Sequence, residues 1–439
     1  MIENITQTRP TRAVLVGLNT GMSSSDFDRS MDELKELVKA IDIEAALTVT
    51  QSLPSPDRST YIGSGKVEEI AASLDMFDID IVVVDGALSP MQARNLEKAL
   101  DTEVIDRTGL ILQIFARRAK TREACLQVEY AQLQYMLPRL AHMRTSLSRQ
   151  GGGSGRLSNK GSGEKQLELD RRRIEHRMAE LRRDLEGIRK ERDTQRGRRM
   201  RSGLPEVALV GYTNAGKSTI LNGLIDLYGV SGSEDKQVFE KNMLFATLDT
   251  SVRKIEPKDH RPFLLTDTVG FISDLPHDLV KAFRSTIEEA KFADLLLEVI
   301  DFSDPEYRHH MEVTQQTLKE IGAGEVPVIY VFNKSDILKE EQIESGSLPI
   351  EFPRAGADRV YISAKDKHSL DALIEVIDKK FAEEETEVTL LLPYKEGAIL
   401  GELNSRGLVK MTEYQEDGVL VKALLTEKDI SRFGEYLTN

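Results

Sequence analysis

The sequence predicts a multidomain α/β chain. A small α/β domain comes first, then an antiparallel helical hairpin, a larger α/β domain and a small C-terminal α/β module. Three observations predict it. Short β-rich runs alternate with helical spacing in the first and last thirds. Two leucine-rich seams flank a glycine-rich loop. Four short polar motifs follow one another, each at the end of an apolar strand run. At 439 residues the chain is too long for one core, because domains usually hold about 100–200 residues.

The first domain is expected over residues 1–120. Ala13 to Val16 is a buried-strand run, and Met31, Leu34, Leu37 and Val38 have helical spacing. Leu47 to Thr50, Ile79 to Val84 and Val104-Ile105 read as further strands, with a helix over Pro90 to Leu100. The hairpin is expected over 121–202. Leu126, Tyr130, Leu133, Leu137 and Leu140 step by four and three. Leu167, Ile174, Met178, Leu181, Leu185 and Ile188 largely repeat that seam, with Arg171 at its one polar position. Gly151 to Gly155, continuing through Gly161-Ser162-Gly163, is expected to be the flexible tip. Pro138 is expected to kink the first arm or end it early.

The net charge of -14 hides a basic block. Between Arg139 and Arg201 there are 19 Lys/Arg against 9 Asp/Glu, whereas the rest of the chain carries 40 against 64. Arginine forks match phosphate oxygens, and glycines beside Arg149, Arg156, Lys160 and Lys165 allow close backbone approach, so the hairpin suits a phosphate-rich partner. A solvated, structural coiled coil is the competing reading. Cys125 is the only cysteine, which excludes an intrachain disulfide and a cysteine zinc site and fits a reducing cytosol. The seven histidines are scattered; His309 and His310 are adjacent in a charged stretch and are expected to face solvent. No apolar run reaches the roughly 18–20 residues that span a bilayer, and no signal peptide is visible, so membrane insertion is not expected.

The third domain, expected over 203–384, carries the chemistry. Val207 to Val210 runs into Gly211-Tyr212-Thr213-Asn214-Ala215-Gly216-Lys217-Ser218, with Thr219 opening a helix. This is a phosphate loop in its strand–loop–helix setting. Successive N–H groups would wrap a β-phosphate, and the helix would point its positive end at the anion. Lys217 is expected to neutralise β- and γ-phosphate charge and Ser218 to ligate Mg²⁺.

Phe263 to Thr266 ends in Asp267-Thr268-Val269-Gly270. The Asp267 carboxylate suits the outer shell of Mg²⁺, and the Gly270 N–H suits a γ-phosphate. Val328 to Phe332 ends in Asn333-Lys334-Ser335-Asp336. A carboxylate there can accept from guanine N1–H and N2–H₂, donors that adenine lacks, so Asp336 selects guanine. Val360 to Ile362 then leads into Ser363-Ala364-Lys365, where a backbone N–H can meet guanine O6. Between the first two motifs lies Phe245-Ala246-Thr247-Leu248-Asp249. Thr247 is expected to supply a second hydroxyl to Mg²⁺ and to close over the γ-phosphate, with Thr250 as its rival. These motifs together predict a P-loop GTPase domain that binds GTP and GDP. Lys217, Thr247 and Gly270 are its candidate catalytic residues, and Ser218 and Thr247 its candidate metal ligands. The last module, 385–439, reads as strand, helix, two strands and helix, with no chemical motif.

Beyond these motifs the chain resembles the HflX family of ribosome-associated GTPases, within the Obg-like translation-factor class. The resemblance extends over most of the chain, to about residue 380. Tyr61 to Glu69, Ser89 to Glu97, Val104 to Thr108, Thr121 to Ala124 and Leu137-Pro138-Arg139-Leu140 carry it, with the phosphate loop, the 245–249 segment and Asp267 to Phe271. The glycine loop departs from the family pattern in its middle and at Lys165. The resemblance implies binding to the 50S ribosomal subunit and its rRNA in the GTP state. It also implies rescue or splitting of stalled or idle ribosomes, with the hairpin reaching toward the peptidyl-transferase region. A monomer is expected.

Many GTPases place glutamine after Gly270 to orient water; here Phe271 stands there, so slow intrinsic hydrolysis is expected, accelerated by a partner. Asn214 resembles an asparagine that ligates K⁺ in some related GTPases, which makes K⁺ a candidate second cation. Two other readings compete: a GTP switch for a protein regulator without a ribosomal role, and a second nucleotide site at Gly63-Ser64-Gly65-Lys66. A tight turn is the simpler account of the latter.

Overall fold

The structure, a computed structural model, describes residues 9–149, 160–229, 251–273, 288–337, 353–383 and 385–438. The chain divides into two compact units. The first runs to Glu191 and includes Ser273; the second holds the other described residues from Arg192 onward.

The first unit opens with β1 (Thr11–Asn19), α1 (Ser24–Lys39), β2 (Ile43–Ser52), α2 (Ser64–Leu74), β3 (Ile81–Asp85), α3 (Pro90–Leu100), β4 (Glu103–Asp106) and α4 (Arg107–Arg118). Its four strands are parallel, in the order β2-β1-β3-β4. A parallel sheet is covered on both faces, which is why Ala13 to Val16 form an unbroken buried run. Val14, Val16, Val82 and Val84 pack against Val67, Ile70, Ala93 and Leu96 of α2 and α3. The α1 stripe Met31, Leu34, Leu37 and Val38 is buried as the spacing predicts. Ser89 starts α3 through a capping box with Gln92, and Pro90 sits in the first turn.

Two long helices follow, α5 (Arg122–Arg149) and α6 (Lys160–Ser202). Arg177 forks onto Glu129 at 2.7 and 2.9 Å, and Arg182 donates to the Tyr130 hydroxyl at 2.8 Å, so charged pairs tie them together. Leu181 lies fully buried on the α6 seam. Pro138 does not end α5 early. Arg139 holds the next turn by donating to the Tyr135 carbonyl at 3.0 Å and to Asp106 at 2.8 Å. Asp106 also accepts from the Tyr135 hydroxyl, Leu88 N and Gly109 N, so this buried carboxylate has four donors. Gly161-Ser162-Gly163 also departs from expectation, because α6 begins at Lys160. A helix fixed further along, where Leu181 is buried, can extend backward over glycine at a cost of about 1 kcal/mol each. The tip residues 151–159 lie outside the described residues.

Sequence reading places the next boundary at 202/203, but the last turns of α6 belong to the second unit. Arg196 and Arg199 both bind the buried Glu289, at 2.9 and 2.8 Å, and Arg199 also binds Glu206 at 3.0 Å. These ion pairs fasten the helix end to the start of the next sheet.

That sheet has seven strands. In chain order the elements are β5 (Glu206–Val210), α7 (Lys217–Tyr228), β6 (Ser251–Ile255), β7 (Phe263–Asp267), α8 (Glu289–Phe292), β8 (Leu295–Asp301), α9 (Tyr307–Glu320), β9 (Val328–Asn333), β10 (Arg354–Ala355), β11 (Arg359–Tyr361) and α10 (Lys367–Glu383). The strand order is β10-β11-β9-β8-β5-β7-β6. The strands from β11 to β7 run parallel, and β10 and β6 are antiparallel edges. Val207, Leu209, Leu297, Val299, Ile329 and Val331 form the core with Ile220, Leu224, Leu373 and Ile377 from α7 and α10.

The chain ends in β12 (Glu385–Leu392), α11 (Gly397–Ser405), β13 (Val409–Gln415), β14 (Gly418–Thr426) and α12 (Glu427–Arg432), as the pattern predicts. Its antiparallel sheet, β12-β14-β13, has its own core around Leu390, Leu403, Val421 and Leu425. Arg406 forks onto Asp429 at 2.9 and 2.8 Å within it. No helix among the described residues is long and apolar enough to cross a membrane.

Candidate nucleotide-binding site

In an open parallel sheet, ligands settle outside the carboxyl ends of the strands. Four strands of the second unit end there in polar loops: β5, β7, β9 and β11.

The loop after β5 is shaped by its glycines. Gly216 has φ +99°, and a Cβ on it would lie 2.2 Å from Asn333 Nδ2. Only glycine fits that conformation and that approach. Asn214 stands exposed at the loop crown with φ +61°, a left-handed conformation that asparagine tolerates. Thr213 and Ala215 are buried between them. Lys217 opens α7 and turns its ammonium back into the loop, donating to the carbonyls of Gly211 at 2.9 Å and Tyr212 at 2.7 Å. Burial pulls this ammonium down to about 8, while the Asp267 carboxylate acts in the opposite direction. Ser218 Oγ donates to Asp267 Oδ2 at 3.0 Å, and Thr219 follows half-buried.

The segment after β7 lies against this loop. Thr268 Oγ1 donates to the Leu209 carbonyl at 2.6 Å, and Val269 is buried. A Cβ on Gly270 would lie 2.9 Å from Thr213 Cα and 3.1 Å from Lys217 Nζ, so the backbone must pass bare. Tyr212 and Phe271 then form a parallel bridge. Thr213 N donates to the Phe271 carbonyl at 2.8 Å, and Phe271 N to the Gly211 carbonyl at 3.1 Å. The Phe271 ring is buried, at 2% exposure, so it is packed inward as well as unable to hydrogen-bond water.

Asn333 closes the other end. Its Nδ2 donates to the Ala215 carbonyl at 2.9 Å, and its Oδ1 accepts from Ala364 N at 2.9 Å. One side chain thus ties together the loops after β5, β9 and β11. Lys334 has φ +61° and donates to Asp301 at 2.6 Å. Asp336 lies exposed in a short 3₁₀ turn, Ser335–Ile337, with its carboxylate toward solvent. Ser335 N donates to the Ile362 carbonyl at 3.1 Å, and Ser363 N to Ser369 Oγ at 3.2 Å. Lys365 is exposed.

The structure therefore brings together the residues read from the loops after β5, β7, β9 and β11. Phe245, Ala246, Thr247, Leu248 and Asp249, with the rival Thr250, lie outside the described residues. Among the described residues no three His, Cys, Asp or Glu side chains cluster to cage a metal. The Ser218 hydroxyl beside the Asp267 carboxylate is instead a partial set of hard oxygen donors. That fits a hydrated Mg²⁺ completed by phosphate oxygens.

Two features went unseen in the sequence. The bridging of three loops by Asn333 has no signal beyond an amide at a strand end. His310 is the second, and the expectation for it is corrected. Rather than facing solvent it stacks on Tyr212, with ring centroids 3.9 Å apart and planes at 13°, and its side chain is 16% exposed. Proximity in the fold, between residues 98 positions apart in sequence, decides this.

Comparison with known proteins agrees with this geometry. Residues 28–116 match the family described as GTP-binding GTPase N-terminal, and 118–199 match GTP-binding GTPase Middle Region. Residues 206–334 match the family described as 50S ribosome-binding GTPase. The chain is 43% identical over 415 residues to the GTPase HflX of Caldanaerobacter subterraneus subsp. tengcongensis, covering 94% of this chain and 91% of that protein. It is 43% identical to the GTPase HflX of Lacrimispora saccharolytica, covering 94% and 93%. With that of Akkermansia muciniphila it shares 41% identity, covering 98% and 97%. The chain belongs to the HflX family of GTPases and is a GTP-binding GTP hydrolase.

Proposed function

We propose that this GTPase binds the large ribosomal subunit in its GTP state and acts on stalled or idle ribosomes, hydrolysing GTP as it does so. The observation that carries the reading is a loop suited to phosphate followed, directly after Gly270, by a buried Phe271 that cannot hydrogen-bond water. Lys217, Ser218, Asp267 and Gly270 converge at one end of the sheet, while Phe271 is packed inward. Such a site needs a partner to complete it. The description of the matched family, 50S ribosome-binding GTPase, supports the ribosome as that partner. The excess of arginine along α6 supports contact with rRNA.

The residues take these roles. Lys217 leaves the Gly211 and Tyr212 carbonyls, or shares its protons with them, to neutralise the β- and γ-phosphates. Gly270 offers its N–H to the γ-phosphate. Ser218 and Thr247 would hold Mg²⁺, with Asp267 behind Ser218, and the ion would supply positive charge to neutralise the phosphates. Asp336 reads the guanine edge, and Ser363, Ala364 and Lys365 form the wall that meets O6. Asn214, which resembles a K⁺-ligating asparagine of some related GTPases, would hold K⁺. Equal hydrolysis rates in K⁺ and Na⁺ would remove that role. The protein works as a cytoplasmic monomer.

Co-sedimentation with purified 50S subunits tests the ribosomal reading. The expected result is association with a non-hydrolysable GTP analogue and little with GDP. Association that ignores the nucleotide, or is absent, favours a GTP switch with a protein partner and a purely structural hairpin.

A further inference from the structure

We propose that His310 is a positioning residue for nucleotide binding: its ring braces Tyr212, and through Tyr212 it holds Lys217 and Gly270 in register for the phosphates. The inference rests on the assignment of this loop to the phosphates of GTP.

The phosphate loop has few constraints of its own. Its polar groups must face the ligand, so its stiffness has to come from what packs behind it. Tyr212 is the one residue of Gly211–Ser218 that carries a large ring, and the residue is buried, at 8% exposure. Its partner comes from another element. His310 lies in the first turn of α9, and its imidazole stacks flat on the phenol at 3.9 Å between centroids.

The helix turn that carries the imidazole is held by backbone bonds. The His310 amide donates to the Glu306 carbonyl at 3.2 Å, its carbonyl accepts from Thr314 Oγ1 at 2.8 Å, and its Nδ1 lies 3.8 Å from Asp304. A fixed helix turn therefore presents a flat face to the loop.

What the Tyr212 backbone does makes this consequential. Its carbonyl accepts from Lys217 Nζ at 2.7 Å. Its own position forms the bridge to Phe271, one residue beyond Gly270. Rotation of the Tyr212 peptide would release the lysine and shift Gly270 against the loop together. Parallel ring packing resists that rotation, because stacked rings lose contact when one tilts.

The test uses the full-length chain with Tyr212→Leu, His310→Leu and His310→Phe, alone and with the two leucine substitutions combined. Fluorescent GTP and GDP titrations, steady-state hydrolysis and thermal melting are measured. His310→Leu removes the planar face and keeps the volume. It is expected to raise Kd and KM for GTP about five- to tenfold, with kcat within twofold. His310→Phe keeps a planar ring and is expected to restore GTP affinity to within twofold. Tyr212→Leu is expected to match His310→Leu, and the double variant to lose nothing further. If His310→Leu does not fold, the contrast between Tyr212→Leu and His310→Phe carries the test. Wild-type affinity in His310→Leu, failure of His310→Phe to rescue, or additive losses in the double variant would overturn the role. Absence of GTP binding by the unaltered chain would overturn the site assignment itself, and this inference with it.

Discussion

The molecule contains two sheets built around parallel strands, and among the described residues their carboxyl ends are finished differently. In the first unit the carboxyl ends of β1 and β3 are closed by side chains. Arg107 binds Asp85 at 2.8 Å and also Glu33, and Ser30 donates to Asp85. The nearby Gly63-Ser64-Gly65-Lys66 segment is also committed to structure. Gly63 N donates to Gln51 Oε1 at 2.8 Å, and Lys66 pairs with Glu69 at 2.7 Å. In the second unit the corresponding strand ends carry glycine backbone and a lysine that, among the described residues, donates to the loop carbonyls of Gly211 and Tyr212. Parallel strand topology offers the crevice in both; the presence or absence of a filling ion pair decides which one is left for a ligand.

The largest effect should come from the open crevice. Lys217→Ala is expected to lower GTP affinity by roughly 10³–10⁴, since it removes a buried cation from a phosphate site. A titration with fluorescent GTP measures it, and a loss below tenfold would place the phosphates elsewhere. The closed crevice should respond in stability instead. Arg107→Ala leaves Glu33 and Asp85 buried without their cation, which costs about 3–4 kcal/mol. Denaturant unfolding monitored in the first unit checks this.

A buried acid without a countercharge gives a third contrast. Glu298 on β8 is 1% exposed, and burial pushes its carboxyl up to about 8, with Gln315 acting in the opposite direction. A raised carboxyl favours folding at low pH. Its contribution is complete below the unfolded value of 4.5 and is lost as pH rises to about 8. At pH 7 the penalty is on the order of 3 kcal/mol. Glu298→Gln should therefore raise the melting temperature at pH 7–8 and flatten its decline above pH 5. An unchanged pH profile would show that Glu298 ionises freely.

At the guanine end, Asp336→Ala is expected to cost about 10² in preference for GTP over ATP, read in competition titrations. The smallest effect is expected from Lys66→Ala. Its exposed pair with Glu69 is worth under about 1 kcal/mol, and GTP affinity and a stoichiometry of one should be unchanged. A second GTP equivalent, lost in this variant, would reopen the first sheet as a nucleotide site.

What the sequence revealed follows from the range of the forces involved. The phosphate loop, Asp267 to Gly270 and Asn333 to Asp336 were legible because each needs local backbone geometry at a strand end, and local geometry leaves residue-type signatures. The alternating elements were legible for the same reason. The stack of His310 on Tyr212 was hidden, because α9 and the β5 loop meet only after the sheet is assembled. The fastening of α6 by Arg196 and Arg199 to Glu289 was hidden likewise. Pro138 does not end α5 early, and the turn after it is held by Arg139 on Asp106, a contact across 33 positions.

Phe271 ties these points together. The sequence shows that it cannot guide water, and the structure shows its ring packed inward while its backbone braces the phosphate loop. The central claim is that this GTPase hydrolyses slowly until the large ribosomal subunit completes its site. Single-turnover GTP hydrolysis with and without purified 50S subunits tests it most directly. The account predicts acceleration of at least about 10²-fold by the subunit, lost in high salt as contacts to rRNA are screened. A rate that 50S subunits leave unchanged would contradict it.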